Sequence, residues 1–363
     1  RVAKKTLLSC IVISLISKRL EFRQTVSNDF NEIINNHYAN GPRIHEFLKE
    51  LNENVLSKYD IMTVGEGPGI NTENASLYVG EDRKELNMIF HFGHMYIDNG
   101  PGGKYDPMPV TLQAFKKVFI AWDQALDDKG WGSVFLGNHD FSRMVSRFGD
   151  TKQYWKESAK LLATVLFTMR GTVYVYQGDE IGMTNVAFDG IDKYRDIETL
   201  NSWKEAEHNG QDMKEFMELV HMQSRDNART PLHWDNTSNA GFTNGEPWID
   251  INPNYVDINI QAQEHDKDSI LSYYRQLIKF RKENPTLVYG QFEPLDIDNE
   301  QIFAYLRYDD SNTFLVIHNF SEHQIRWEYP IEEGYKLVLT NKANSEHVNY
   351  LSAWQTKVLK RLK

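Results

Sequence analysis

Short apolar runs that end in acidic residues, separated by stretches of helical periodicity, limit how this chain can fold more than anything else in it. Asp60-Ile-Met-Thr-Val-Gly leads into Glu66, and Ser133-Val-Phe-Leu-Gly-Asn-His leads into Asp140. Thr172-Val-Tyr-Val-Tyr-Gln-Gly leads into Asp179 and Glu180. Strands that alternate with helices imply parallel βαβ units, because a parallel pair needs a long crossover connection. In a (β/α) barrel the polar residues just past each strand gather at one rim, where sites form. Glu66, Asp140 and the Asp179/Glu180 pair occupy such positions.

The segments between fit that frame. Gly41-Pro42 opens a helix, with proline in the first turn where its missing N–H costs little. Ile44, Phe47, Leu48, Leu51 and Val55 then share one face at helical spacing. Asn87–Phe92 reads as a strand, and Leu112, Phe115, Phe119, Trp122 and Leu126 line a second amphipathic helix. Trp131–Leu136 and Thr172–Tyr176 read as strands on either side of a helix over Lys152–Met169. A polar, aromatic-rich excursion over the rim is expected at about 186–265, followed by a helix over Asp268–Glu283. After Pro285 the runs shorten and alternate: Gln301–Arg307, Thr313–His318 and Tyr335–Leu339. The expected fold class is therefore α/β, a partial (β/α)8 barrel of about strands 5–8 plus a C-terminal antiparallel β domain. The expected domains are 1–285 and 286–363.

Charge and cysteine content exclude several roles. A formal net charge of -11 argues against nucleic acid, which needs a basic surface. Cys10 is the sole cysteine, so neither a disulfide framework nor a cysteine-rich metal site is expected. No apolar stretch is long enough to span a bilayer. Arg1, Lys4 and Lys5 before Thr6–Ile16 look like a secretory leader, yet Ser17-Lys-Arg-Leu follows in place of a small-x-small cleavage site. The reading adopted is a buried barrel segment with a helix over Ile11–Lys18, and hence a cytoplasmic protein.

Two carboxylates at strand tips, with His139 beside one of them, suit the cleavage of a sugar bond. At this point the motifs match a family. The chain resembles the α-amylase-type glycoside hydrolases, in the branch of oligo-1,6-glucosidases and α-glucosidases. The resemblance rests on Leu56–Glu66, Gly100–Asp106, Asn138-His-Asp140 with Arg143 and Ser146–Gly149, Tyr176–Thr184, Ser224–Asp235 and Asn239–Thr243. It covers nearly the whole chain from about residue 11.

The resemblance implies retaining hydrolysis of an α-glucosidic bond in a short oligosaccharide, without metal or cofactor. Glu66 would be the proton donor and Asp140 the transition-state stabiliser. His139 would bind a ring hydroxyl, Arg225 would reach the non-reducing end of the glucose, and Arg143 would orient the Asp140 loop. Arg229 is expected to hold the excursion in place. Trp234 and Phe242 are read either as a sugar platform or as core packing.

The chain also departs from the family. Ile11-Val-Ile-Ser-Leu-Ile-Ser-Lys18 fits the segment of the nucleophile, with Ile11 at the position of its Asp and Ser9 at that of an Arg. Isoleucine cannot form a glycosyl ester. Gly93 stands where the family has Glu before His94-Met95. The family's early motifs and calcium loop are absent. In the family, a Val such as Val12 goes with α-1,6 linkages. The expectation is an N-terminally truncated hydrolase, inactive alone, with self-association through exposed barrel edges. A reading of another class is a non-catalytic carbohydrate-binding or interaction protein derived from the same family.

Overall fold

The computed structural model describes residues 8–12, 40–342 and 347–362. Contacts divide the chain into two units. The first holds residues up to Tyr96 together with Phe115–Val134 and Arg170–Thr172; the second holds Ile97–Ala114, Phe135–Met169 and Val173 onward.

The first unit is built on a parallel sheet. Leu8–Val12, Met62–Gly67 and Met88–His91 lie side by side in that order. The register sets Ile11 against Gly65 and Val12 against Glu66. Glu66 in turn faces Phe90, and Gly67 faces His91. The helix Ile44–Asn54 buries Ile44 and Leu48 against Ile70, Ala75, Tyr78, Val79, Leu86 and Ile89. Trp122 and Leu126, one turn apart on Leu112–Leu126, complete this core. The Ser133 hydroxyl donates to the Ile89 carbonyl at 2.6 Å, which ties the Ser133–Val134 strand to its neighbour. Thr172 N–H donates to the Gly132 carbonyl at 2.9 Å. Gly171 allows that approach: its φ is +125°, and a Cβ there would sit 2.7 Å from the Gly132 oxygen.

The expected helix over Ile11–Lys18 does not begin where the sequence suggested. Ile11 and Val12 end a strand, because an apolar β-branched run finds a ladder partner in Met62–Gly67. Residues 13–18 lie outside the described residues.

In the second unit, Trp155–Thr168 is buried on every side from Ser158 onward. It packs against Ile270–Glu283, whose buried face is Ile270, Tyr273, Tyr274 and Leu277. The longer helices of the segment read as a rim excursion are Ile197–His208 and Met213–Gln223. Each starts on an aspartate: Asp196 accepts from Glu198 N–H, and Asp212 from Lys214 and Glu215 N–H. Val186, Phe188, Tyr194, Ala206, Phe216, Val220 and Ile249 form their own core.

The C-terminal sheet is antiparallel throughout, in the order 336–340, 356–362, 312–319, 302–308, 291–295. Leu295, Ile302, Ala304, Leu315, Ile317, Trp327, Leu351 and Leu359 fill its core. The three strands read from the sequence are present. The outer strand Gln291–Leu295 and the inner strand Thr356–Leu362 were not anticipated. Pro294 hides the first, since proline within a sheet is confined to edges. Lys357 hides the second. It is buried, and its ammonium donates to the carbonyls of His347 at 2.5 Å and Tyr350 at 2.6 Å, so a charged residue occupies a core position.

Candidate active site

Glu66 stands one residue before the end of its strand in the first unit, half-buried. Gly67 follows, and a Cβ there would lie 2.6 Å from the Ile70 Cδ1, so the end of that side chain would have to shift. The position that the resemblance gives to the nucleophile is on the adjacent strand of the same sheet, and it is Ile11.

The second unit gathers the other candidates. Asn138 Oδ1 accepts the Asp140 N–H at 2.8 Å, an Asx-type turn that stops the buried run Phe135–Leu136 and turns the chain outward. Gly137 makes room for Asp179: a Cβ at 137 would lie 3.3 Å from that carboxylate. Two arginines, four residues apart, converge on Asp140. Arg229 Nη2 donates to Asp140 Oδ1 at 2.8 Å, and Arg229 Nε donates to the His139 carbonyl at 2.9 Å. Arg225 Nη1 lies 3.7 Å from the same Oδ1. On the other oxygen, Oδ2, His139 Nε2 approaches to 3.5 Å. The Asp140 side chain is 32% exposed and that of His139 61%, so this carboxylate edge is open to a ligand while its other side is pinned.

Arg225 is itself anchored. Its Nε and Nη2 both donate to Asp196 Oδ1, at 2.8 and 2.5 Å. Burial works to raise the Asp196 pKa, but the hydrogen bonds from Arg225 and Thr199 and the nearby Lys104 outweigh it and bring it down to about 2. Burial likewise disfavours the charged Arg225, and its bonds to Asp196 reverse the effect, so its pKa moves up. Lys104 binds Glu198 at 2.6 Å, and Glu198 lies 3.4 Å from Arg225 Nε.

Arg143 has a different setting from Arg225. It is fully buried, donating from Nε to the Asn227 carbonyl at 3.0 Å and from Nη1 to the Gln177 carbonyl at 2.6 Å. Burial lowers its pKa against the pull of Asp179, Tyr176 and Glu180. Burial also raises Asp179 to about 7, with Arg143 opposing and Glu180 adding. Arg143 thus staples main-chain segments. Trp234 and Phe242 are half-exposed, which rules out core packing for them.

Two residues of this cluster carry more than the sequence reading gave them. Arg229 reaches the Asp140 carboxylate itself, and its spacing of four from Arg225, one helical turn, was the available signal. Asp196 left no such signal, because its partner lies 29 residues further along the chain.

An arginine-clasped carboxylate after a strand, and a second acid at the end of a strand in a parallel sheet, are the features of a carbohydrate-active barrel protein. The alpha amylase catalytic-domain family matches residues 11–290, and the chain belongs to that family. An oligo-1,6-glucosidase of Bacillus cereus is 50% identical over 330 residues, covering 90% of this chain and 59% of that protein. A trehalose-6-phosphate hydrolase of Bacillus subtilis is 41% identical over 310 residues, covering 85% of this chain and 54% of its own length. Among solved structures, an isomaltulose synthase from Klebsiella sp. LX3 superposes with a TM-score of 0.85 at 38% identity, covering 89% of this chain and 59% of that one. The chain spans less than two thirds of the length of the relatives it matches. The expected partial barrel with a C-terminal antiparallel sheet is borne out. Among the described residues no helix is long and apolar enough to cross a membrane.

Proposed function

We propose that this chain is a glycoside hydrolase of the oligo-1,6-glucosidase type whose catalytic cycle is interrupted at residue 11. Glu66 serves as proton donor to the leaving oxygen and then as base toward water. Asp140 binds ring hydroxyls, and binds them more tightly as the ring takes on oxocarbenium character. His139 and Arg225 hold the glucosyl unit, Arg143 orients the Asp140 loop through the main chain, and Arg229 pins the carboxylate.

One observation carries the reading. The register sets position 11 beside Gly65, one residue short of Glu66 on the adjacent strand. The resemblance gives position 11 to the nucleophile, and isoleucine has no oxygen with which to attack the anomeric carbon. The substrate class is a short α-glucoside; Val12 and the names of the similar proteins favour the α-1,6 linkage. The double variant Ser9→Arg/Ile11→Asp should gain hydrolysis of p-nitrophenyl α-glucoside, and adding Glu66→Gln should abolish it. A double variant that stays inert while the chain still binds isomaltose would favour the second reading, a carbohydrate-binding protein without catalysis.

Residues 1–285 and 286–363 are proposed as the catalytic and accessory domains. A cytoplasmic location is proposed because Leu8–Val12 sits in a sheet, as a barrel segment would. Among the described residues the same strand is an end member of that sheet, which supports self-association through its edge.

A further inference from the structure

The Arg225 guanidinium is shared unevenly among three carboxylates, of which Glu198 stands 3.4 Å from Nε. Asp196 takes two of its edges: Nε and Nη2 both donate to Asp196 Oδ1. The Arg225 backbone N–H adds a third bond to Asp196, at Oδ2 and 3.1 Å. Asp196 is itself immobilised. It is fully buried, it accepts from the Thr199 hydroxyl at 2.8 Å, and its own N–H donates to Asp226 Oδ2 at 2.9 Å. The remaining nitrogen, Nη1, stands 3.7 Å from Asp140 Oδ1, which is beyond hydrogen-bond length. That oxygen is already bonded by Arg229 at 2.8 Å. A guanidinium is a rigid planar fork, so fixing two of its edges fixes the direction of the third.

We propose that Asp196 is a positioning residue for sugar recognition: it aims Arg225 Nη1 into the space beside Asp140 as a donor for the bound glucosyl unit. The site then recognises two adjacent hydroxyls of one ring. One donates to the open Oδ2 edge of Asp140, and the oxygen of its neighbour accepts from Arg225 Nη1. Asp196 settles the orientation of a long, flexible side chain before the ligand arrives, so binding does not have to order it. This rests on the proposal that the Asp140 cluster holds a glucosyl unit.

The test is a ligand-observed NMR titration of the full chain with isomaltose. Asp196→Asn keeps an acceptor for the helix start and removes the charge that holds the fork. We expect it to weaken binding about tenfold, the loss typical of a charge-assisted hydrogen-bond arrangement. Arg225→Met should weaken binding at least as much. The Asp196→Asn/Arg225→Met double variant should bind no worse than Arg225→Met alone, because Asp196 acts through Arg225. Thr199→Val, which removes one support of Asp196, should give a smaller loss that also vanishes in the Arg225→Met background, and it covers the case in which Asp196→Asn fails to fold. Unchanged binding in Asp196→Asn, or losses that simply add in the double variant, would overturn the positioning role. Binding lost in Asp140→Asn but indifferent to Asp196 would overturn this proposal and leave the sugar site standing. Absence of any isomaltose binding by the native chain would overturn both.

Discussion

Acidifying this protein forces a proton onto His318 or unfolds the sheet around it. His318 lies on an inner strand of the C-terminal sheet and is fully buried. Its Nδ1 lies 2.9 Å from the Thr356 hydroxyl and its Nε2 3.2 Å from the Tyr305 hydroxyl, which in turn lies 2.6 Å from Thr168 Oγ1. Burial disfavours the imidazolium and lowers its pKa to about 3. In the unfolded chain the imidazole titrates near 6.5. A folded pKa below the unfolded one means that the stabilisation is fully present above the unfolded value and is lost as pH falls from 6.5 toward 3. Between about pH 8 and about pH 4.5 the linkage amounts to roughly two decades in the folding constant, or about 3 kcal/mol. That is a large share of a typical stability of about 5–15 kcal/mol. Asp179 works in the opposite direction, because its pKa is raised to about 7 and acid relieves its buried charge. The slope of the native protein alone is therefore a mixture. The difference from His318→Gln, whose amide keeps polar partners for Thr356 and Tyr305, isolates the histidine. Urea unfolding followed by tryptophan fluorescence at the two pH values measures it. The native chain should lose about 3 kcal/mol more than the variant on acidification. Parallel losses in the two proteins would refute the reasoning.

Two further perturbations test the packing of the second unit. Arg307 is buried and donates to the carbonyls of Thr168, Thr286, Leu287, Gly290 and Gln291; Arg307→Met leaves these acceptors unsatisfied and should cost about 3 kcal/mol or more in urea unfolding. Gly178 has φ +94°, and a Cβ there would lie 2.6 Å from Met183 Sδ and 2.7 Å from Arg143 Nη1, so Gly178→Ala should cost about 1–3 kcal/mol, read as a lowered melting temperature.

The sequence revealed those parts of the molecule in which local pattern and burial agree. The helix Leu112–Leu126 has apolar residues at the helical period, and the strands Met62–Gly67 and Met88–His91 are short apolar runs that lie largely buried in a parallel sheet. Trp131–Leu136 and Thr172–Tyr176 were read as longer strands than the two-residue ladders that form. Apolarity at Phe135 and Leu136 reports burial, which continues after the ladder bonds stop. Thr356–Leu362 was missed for the converse reason, since Lys357 is buried through its carbonyl partners and breaks the alternation. In the site, short-range motifs singled out Asp140, His139 and Arg225, which the second unit brings together. The spacing of four between Arg225 and Arg229 hinted at the reach of Arg229 to Asp140, whereas the bond of Asp196 to Arg225 depends on tertiary placement that no local spacing encodes.

The central claim is that a proton donor and a stabilising carboxylate persist in a chain that has no nucleophile at position 11. Release of nitrophenol from p-nitrophenyl α-glucoside by the native chain, measured beside Glu66→Gln, tests it most directly. The account predicts the same background rate from both proteins. A native rate above background that disappears in Glu66→Gln would contradict it.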